Sequence, residues 1–224
     1  FLNRLLHRLT QGFFYPLEKF VYKQTSLVFT FTNSGALSLI EKFGNRNLQV
    51  IPLGILDDWN GRTESFQKKE QFVILFFGFI TKGKGLETLI QAIHQMIRMD
   101  GTLRVKMRVW IVGDTAFRKD EGYVRKLKKK VSSLGLDDVL EFKQRVPEEL
   151  IQELFDSSDL LVLPYEPLDR FSSSAVLIRG MSYGLPVIVS NTRGFPDEIQ
   201  EGKTGLFFES GNPRDLAEKI LLLW

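Results

Sequence analysis

From about Gln71 onward, short apolar runs and longer amphipathic stretches follow one another in strict alternation, and this alternation constrains the fold more than any other feature. Phe72–Phe77 is continuously apolar, with aromatic and β-branched members, as a strand buried on both faces requires. Gly85–Met99 then places Leu86, Leu89, Ile90, Ile93 and Ile97 at helical spacing, opposite Glu87, Gln91 and Arg98. Val105–Val112 reads as a second strand ending at Gly113-Asp114, and a charged helix follows from Gly122 to Leu134, with Gly135 as its stop. A strand at Val139–Phe142 precedes a helix opened by Pro147-Glu148-Glu149-Leu150, proline in the first turn and acids at the positive dipole end. Strand Leu160–Leu163, helix 174–183, strand Pro186–Ser190, a small helix near Pro196–Gln200, strand Thr204–Phe208 and a helix from Pro213 complete the series. Strands and helices joined this briefly predict an α/β fold, a Rossmann-like doubly wound parallel sheet.

Residues 1–53 are organised differently. Phe1–Val21 is aromatic, basic and helical in pattern. Leu27–Thr32 reads as a strand, Ser34–Phe43 as a helix capped by Ser34, and Leu48–Pro52 as another strand. Asp57–Lys69 is polar and irregular, which suits a hinge. The first residue is Phe, no signal peptide follows, and the Leu221–Trp224 end is apolar, so the chain is expected to be a piece of something longer.

Composition serves mainly to exclude. A net charge of +3 is too small to imply nucleic acid. The absence of Cys excludes disulfides and thiolate metal sites, and His7 and His94 alone make a histidine-rich metal site unattractive. The longest apolar run, Phe72 to Ile80, is about half of what a membrane-spanning helix needs. A cytoplasmic setting follows as the expectation. Arg125-Lys126-Leu127-Lys128-Lys129-Lys130 reads as a solvated outer face, with Val124, Leu127 and Val131 turned inward and no aromatic platform for nucleic acid. The basic and aromatic start, Phe1–Leu9 with Phe13, Phe14, Phe20 and Tyr22, suits either packing on a further domain or resting on an anionic membrane surface.

One stretch points to a ligand. Ser172-Ser173-Ser174 precede an apolar-faced helix in which Gly180 and Ser182 allow close approach to a sheet, and Gly184-Leu185-Pro186 turns it into a buried strand. The first N–H groups of such a helix lack intrahelical partners and can meet an anion. Further motifs recur in order: Gly78-Phe79-Ile80-Thr81-Lys82-Gly83-Lys84-Gly85-Leu86, Val109–Gly113, Leu140–Phe142 through Pro147 to Leu150, Asp159–Pro164, Glu198-Ile199, Gly202–Leu206, and Pro213–Ala217. With them the chain resembles, over most of its length, the glycosyltransferases built from two Rossmann-like domains (the GT-B fold, glycosyltransferase group 1), and especially the retaining family 4.

That resemblance implies a domain plan and a role for each motif. Residues 71–224 would be the donor-binding half, 54–70 the hinge, and 1–53 the closing remnant of the acceptor-binding N-terminal half. The rest of that N-terminal Rossmann domain, with any catalytic residue it keeps, would lie outside the chain, which would be inactive alone. The implied activity is transfer of a hexose from a nucleotide-diphosphate sugar to a glycan or lipid-linked acceptor, with retention. Neither a cofactor nor a metal is implied, since cations, amides and helix dipoles can meet the diphosphate. Gly78, Lys84, Gly85, Ser172, Ser173 and Ser174 would hold the diphosphate. Tyr165, Arg179, Gly194 and Glu198 would face the sugar, and Arg145 and Val146 the nucleobase. Lys82 is a second candidate cation, and His94 a structural residue.

Departures from the family pattern open another reading. Many retaining members carry two glutamates around the donor helix where this chain has Phe171 and Arg179, with Asp169 the nearest upstream carboxylate. Phe79 stands for a common arginine, and Arg193-Gly194 for a double glycine. Arg179 could offset a diphosphate or an acidic sugar. Equally, the chain could be a degenerate transferase-like domain that binds a partner. A sugar-nucleotide epimerase or phosphorylase of similar architecture fits the ordered motifs less well.

Overall fold

The structure, a computed structural model, describes residues 15–44, 47–54, 70–167, 173–192 and 194–224. The expected helix over 1–14, the polar hinge over 57–69, and Asp169, Phe171, Ser172 and Arg193 lie outside the described residues. In the N-terminal unit, helix α1 covers residues 15–24 and is followed by β1 (Val28–Thr30), α2 (Asn33–Phe43) and β2 (Leu48–Val50). The two strands are parallel, with Phe29 opposite Gln49. Tyr22 stacks on Phe43 at 4.3 Å and Tyr15 at 5.8 Å, so the described part of the basic, aromatic start packs on its own neighbour.

The cap of α2 differs from expectation. Thr32, extended at φ −136° and ψ 152°, is the N-cap, and its hydroxyl oxygen accepts from Gly35 N at 3.1 Å. Ser34 is already inside the helix because the chain turns helical one residue earlier, at Asn33. Its donors turn elsewhere, as described below.

The second unit runs β3 (Phe72–Phe77), α3 (Leu86–Met99), α4 (Leu103–Lys106), β4 (Met107–Val112), α5 (Glu121–Ser133), β5 (Leu140–Lys143), α6 (Ile151–Asp156), β6 (Leu160–Leu163), α7 (Ala175–Ser182), β7 (Val187–Ser190), α8 (Phe195–Glu198), β8 (Leu206–Phe208) and α9 (Pro213–Leu223). Its strands form one six-stranded parallel sheet in the order β5-β4-β3-β6-β7-β8, the doubly wound arrangement that the alternating pattern predicts. Ile74, Leu75 and Phe76 of β3 and every residue of β6 have no exposed surface. Burying each such side chain stabilises the fold by roughly 1.5–3 kcal/mol.

The second strand starts later than its sequence suggests. Residues 103–106 make a helical turn that buries Leu103 and leaves Val105 exposed, so β4 begins at Met107, level with Phe72 of β3. On α5, Leu127 and Val131 are buried and Arg125, Lys126, Lys128 and Lys129 are exposed, the solvated face expected.

Between β3 and β6 the sheet's winding reverses, and the carboxyl ends of two strands so placed are where ligands bind in doubly wound sheets. Asp159 ties them at the opposite end: its Oδ2 accepts from Val73 N at 2.8 Å and its own N–H donates to Val73 O at 2.9 Å. Helix α7 reaches the sheet through Gly180, where a Cβ would stand 2.3 Å from Leu161 Cδ2.

Candidate functional site

Two loops and a helix start meet at that edge of the sheet. The one after β3 ends at Gly85, which at φ +68° adopts a conformation side chains disfavour; a Cβ there would lie 1.6 Å from Pro164 O at the end of β6. Glu166 N donates to Gly83 O at 3.0 Å, closing the same two loops further out. The third element is the start of α7: Val176 Cγ2 would stand 3.5 Å from a Cβ on Gly78. Glycine at 78, 83 and 85, each at positive φ, therefore lets one loop fit between β6 and α7.

Lys84 is brought to Tyr165 by this fit, its Nζ 3.6 Å from the ring centroid, a cation–π arrangement. Tyr165 is buried and packs at 5.3 Å on Phe195, the first residue of α8. Ser174 caps α7, its hydroxyl oxygen accepting from Leu177 N at 3.3 Å. The Ser173 hydroxyl donates to Glu198 Oε1, and the Ser174 amide supports the same carboxylate. Burial pushes the Glu198 carboxyl above its ordinary value, the hydrogen bonds from Ser173 and Ser174 oppose that rise, and Asp197 adds to it. Among the described residues, Glu198 Oε2 is buried without a hydrogen-bond partner.

Gly78, Lys84, Gly85, Tyr165, Ser173, Ser174 and Glu198 are thus linked by contacts at one edge of the sheet, with Gly194 buried just ahead of Phe195. Lys82 points to solvent, and His94 sits half-buried on α3. The remaining candidates belong to a second cluster. Arg179, one to two turns down α7, forms an ion pair with Glu148, the residue that opens the short 3-10 turn after β5. Arg145 is exposed and Val146 half-buried against the core. Beside them Lys143 Nζ lies 3.6 Å over the Trp110 ring and 3.5 Å from Glu141. A cavity of about 300 Å³ opens next to this loop, lined by Gly113, Thr115, Arg125, Lys128, Phe142 and Gln144.

Sequence reasoning missed two participants. Glu148 reads only as an acid at a helix start, and nothing local signals Arg179 as its partner. Asp197 is hidden beside Glu198: its Oδ2 accepts from Ser34 N at 2.8 Å and from Ser34 Oγ at 2.7 Å, joining α8 to the start of α2.

Among the described residues, no His, Cys, Asp or Glu cluster is placed to hold a metal, and no helix is long and apolar enough to cross a membrane. What this edge offers is a cation, two hydroxyls and the amides of a helix start, all at the switch point of a doubly wound sheet. Those donors suit a diphosphate.

Such a sheet fits a Rossmann-like half of a GT-B fold. The chain belongs to the glycosyl transferases group 1 family, which it matches over residues 57–224. It is 28% identical over 198 residues to the D-inositol 3-phosphate glycosyltransferase of Geodermatophilus obscurus, covering 84% of this chain and 43% of that protein. To the mannosylfructose-phosphate synthase of Agrobacterium fabrum it is 26% identical, covering 89% and 45%. Spore coat protein SA of Bacillus subtilis is 35% identical over 66% of this chain and 38% of its own length. Among solved structures, Anabaena Alr3699/HepE in complex with UDP-glucose superposes with a TM-score of 0.73 at 22% identity, covering 88% of this chain and 54% of that one. A Rickettsia africae glycosyltransferase superposes at 0.77 with 18% identity, covering 92% and 56%. The chain spans less than half the length of these curated relatives.

Proposed function

We propose that this chain is the donor half of a retaining, family 4 type glycosyltransferase. It would bind a nucleotide-diphosphate sugar at the carboxyl ends of β3 and β6 and pass a hexose to a glycan or lipid-linked acceptor held by a further N-terminal domain. The observation that carries this reading is Lys84 held over Tyr165 in a loop that touches, at Gly78, the serine-capped start of α7. Negative charge grows on the departing diphosphate during transfer, and a fixed cation with oriented amides stabilises that charge more in the transition state than in the ground state. Lys84, Gly78, Gly85 and Ser172 to Ser174 take the diphosphate. Tyr165, Gly194, Glu198 and Arg179 flank the sugar side, and Arg145 with Val146 receives the base. The proposal invokes no metal or cofactor. It sets the enzyme in the cytoplasm, with the basic residues 1–22 either packed on the further N-terminal domain or resting on a membrane surface.

Calorimetry of this chain with UDP, GDP, ADP and their sugar conjugates tests the proposal. Micromolar binding of one nucleotide, lost in Lys84→Ala, is the expected result. A Lys84→Ala protein of unchanged nucleotide affinity would end the assignment. A second reading, a degenerate domain that binds a partner, is favoured by the ion pair that engages Arg179 where many family members carry a glutamate. Sugar transfer or donor hydrolysis by the full-length protein disposes of that reading.

A further inference from the structure

Two adjacent carboxylates of the one-turn helix α8 reach in different directions, each to the start of another helix. Glu198 accepts from the Ser173 hydroxyl and lies against the Ser174 amide, at the start of α7. Asp197 accepts from both donors of Ser34, at the start of the eleven-residue α2 in the N-terminal unit. Each carboxylate sits where a helix dipole favours negative charge. Ser34 and Asp197 stand 163 residues apart in sequence, so this contact joins the two units directly.

We propose that the Asp197-Glu198 turn is a latch: Glu198 occupies the donors that the incoming diphosphate needs, and Asp197 ties that occupancy to the placement of the N-terminal unit. The inference rests on the donor-site reading given above. Two anions cannot share the Ser173 hydroxyl and the Ser174 amide without mutual repulsion, so the diphosphate must displace the Glu198 carboxylate. Because α8 is a single turn, displacing Glu198 moves Asp197 and loosens its hold on Ser34. Coupling of this kind is reciprocal: a ligand that loosens the latch binds more tightly once the latch is already broken. Once released from Ser173, the Glu198 carboxylate can accept from hydroxyls of the sugar.

The chain has no cysteine, so paired labels can be introduced without background. The experiment measures UDP and inorganic pyrophosphate binding by calorimetry in the wild type, Glu198→Gln, Asp197→Asn and Ser34→Ala, each first shown to be folded by circular dichroism. A Leu37→Cys, Lys203→Cys protein carrying spin labels reports the distance between α2 and the α8–β8 region with and without UDP. Removing the competing charge should tighten UDP binding on the order of tenfold in Glu198→Gln, the scale of one charge-assisted hydrogen bond. Asp197→Asn and Ser34→Ala should tighten it a few-fold, and UDP should shift or broaden the label distance. UDP binding that depends on Lys84 but is equal in wild type, Glu198→Gln and Asp197→Asn, or that leaves the label distance unmoved, overturns the latch and spares the donor site. Absence of UDP and pyrophosphate binding in every folded variant, Glu198→Gln included, overturns the donor-site reading and the latch with it.

Discussion

The two ends of the candidate donor site are built by different means. At the cradle end, the loops after β3 and β6 meet backbone to backbone, with Gly85 pressed on Pro164 O, and Gly78 faces the Val176 side chain at the start of α7. At the other end, around residues 143–148, long side chains make the connections: Arg179 to Glu148, and Lys143 to Trp110 and Glu141. Backbone contacts fix a shape that only glycine can occupy. Contacts between long, partly exposed side chains leave the sequence free to change and the ligand preference free to change with it. The Gly85 contact therefore tolerates few substitutions, whereas the 143–148 end tolerates many.

Replacing Gly85 with Ala should have the largest effect, because it combines a disfavoured positive φ with a clash against a carbonyl oxygen 1.6 Å from the added carbon. A loss of about 3 kcal/mol or more in denaturant unfolding is expected. A loss below about 1 kcal/mol would mean that the two loops are not fixed by that contact. Lys84→Ala should leave the fold intact and weaken diphosphate binding roughly tenfold to a hundredfold, with partial recovery in Lys84→Arg. Calorimetry with UDP reads this directly.

Tyr123 tests the support behind the cradle. It lies buried on α5 and its hydroxyl donates to Glu87, in the first turn of α3, at 2.5 Å. Tyr123→Phe should cost about 1 kcal/mol at neutral pH. Burial, and then the bond to Glu87, hold the Tyr123 phenol protonated above its ordinary range. Since the folded state keeps that proton more firmly than the unfolded chain, the stabilisation is complete below pH of about 10 and is lost as pH rises beyond it. The advantage of the wild type over Tyr123→Phe should accordingly shrink in alkaline unfolding experiments, whereas an advantage that grew there would contradict the assignment.

At the 143–148 end, Arg179→Ala or Glu148→Gln should change stability by less than about 1 kcal/mol, since the pair is partly exposed. The ratio of UDP to GDP affinity should move more than stability does. An unchanged ratio would place the base elsewhere.

Whatever depends on short-range pattern was legible in the sequence. The apolar run of β3, the stripe on α3 and the inward residues of α5 follow from periodicity, and the six parallel strands follow from their alternation. Gly180 was legible as a close approach to the sheet, where a side chain would meet Leu161, whereas the clash that Gly85 avoids against Pro164 O appears only in the folded chain. What was not legible is the pairing of side chains far apart in sequence. Thr32 and Ser34 are both good caps, and only the extended backbone at Thr32 selects between them. The bonds of Ser34 to Asp197, and of Arg179 to Glu148, join elements whose proximity exists only after folding.

The strand order also bears on how the chain is made. Central strand β3 pairs with β4, the next strand to leave the ribosome, and with β6, which completes the Asp159–Val73 contact 86 residues later. Until β6 emerges, one edge of Phe-Val-Ile-Leu-Phe-Phe stays open, and an uncharged apolar edge of this kind recruits other chains. Pausing of synthesis between β4 and β6 is thus the interval in which a chaperone gains most by covering β3.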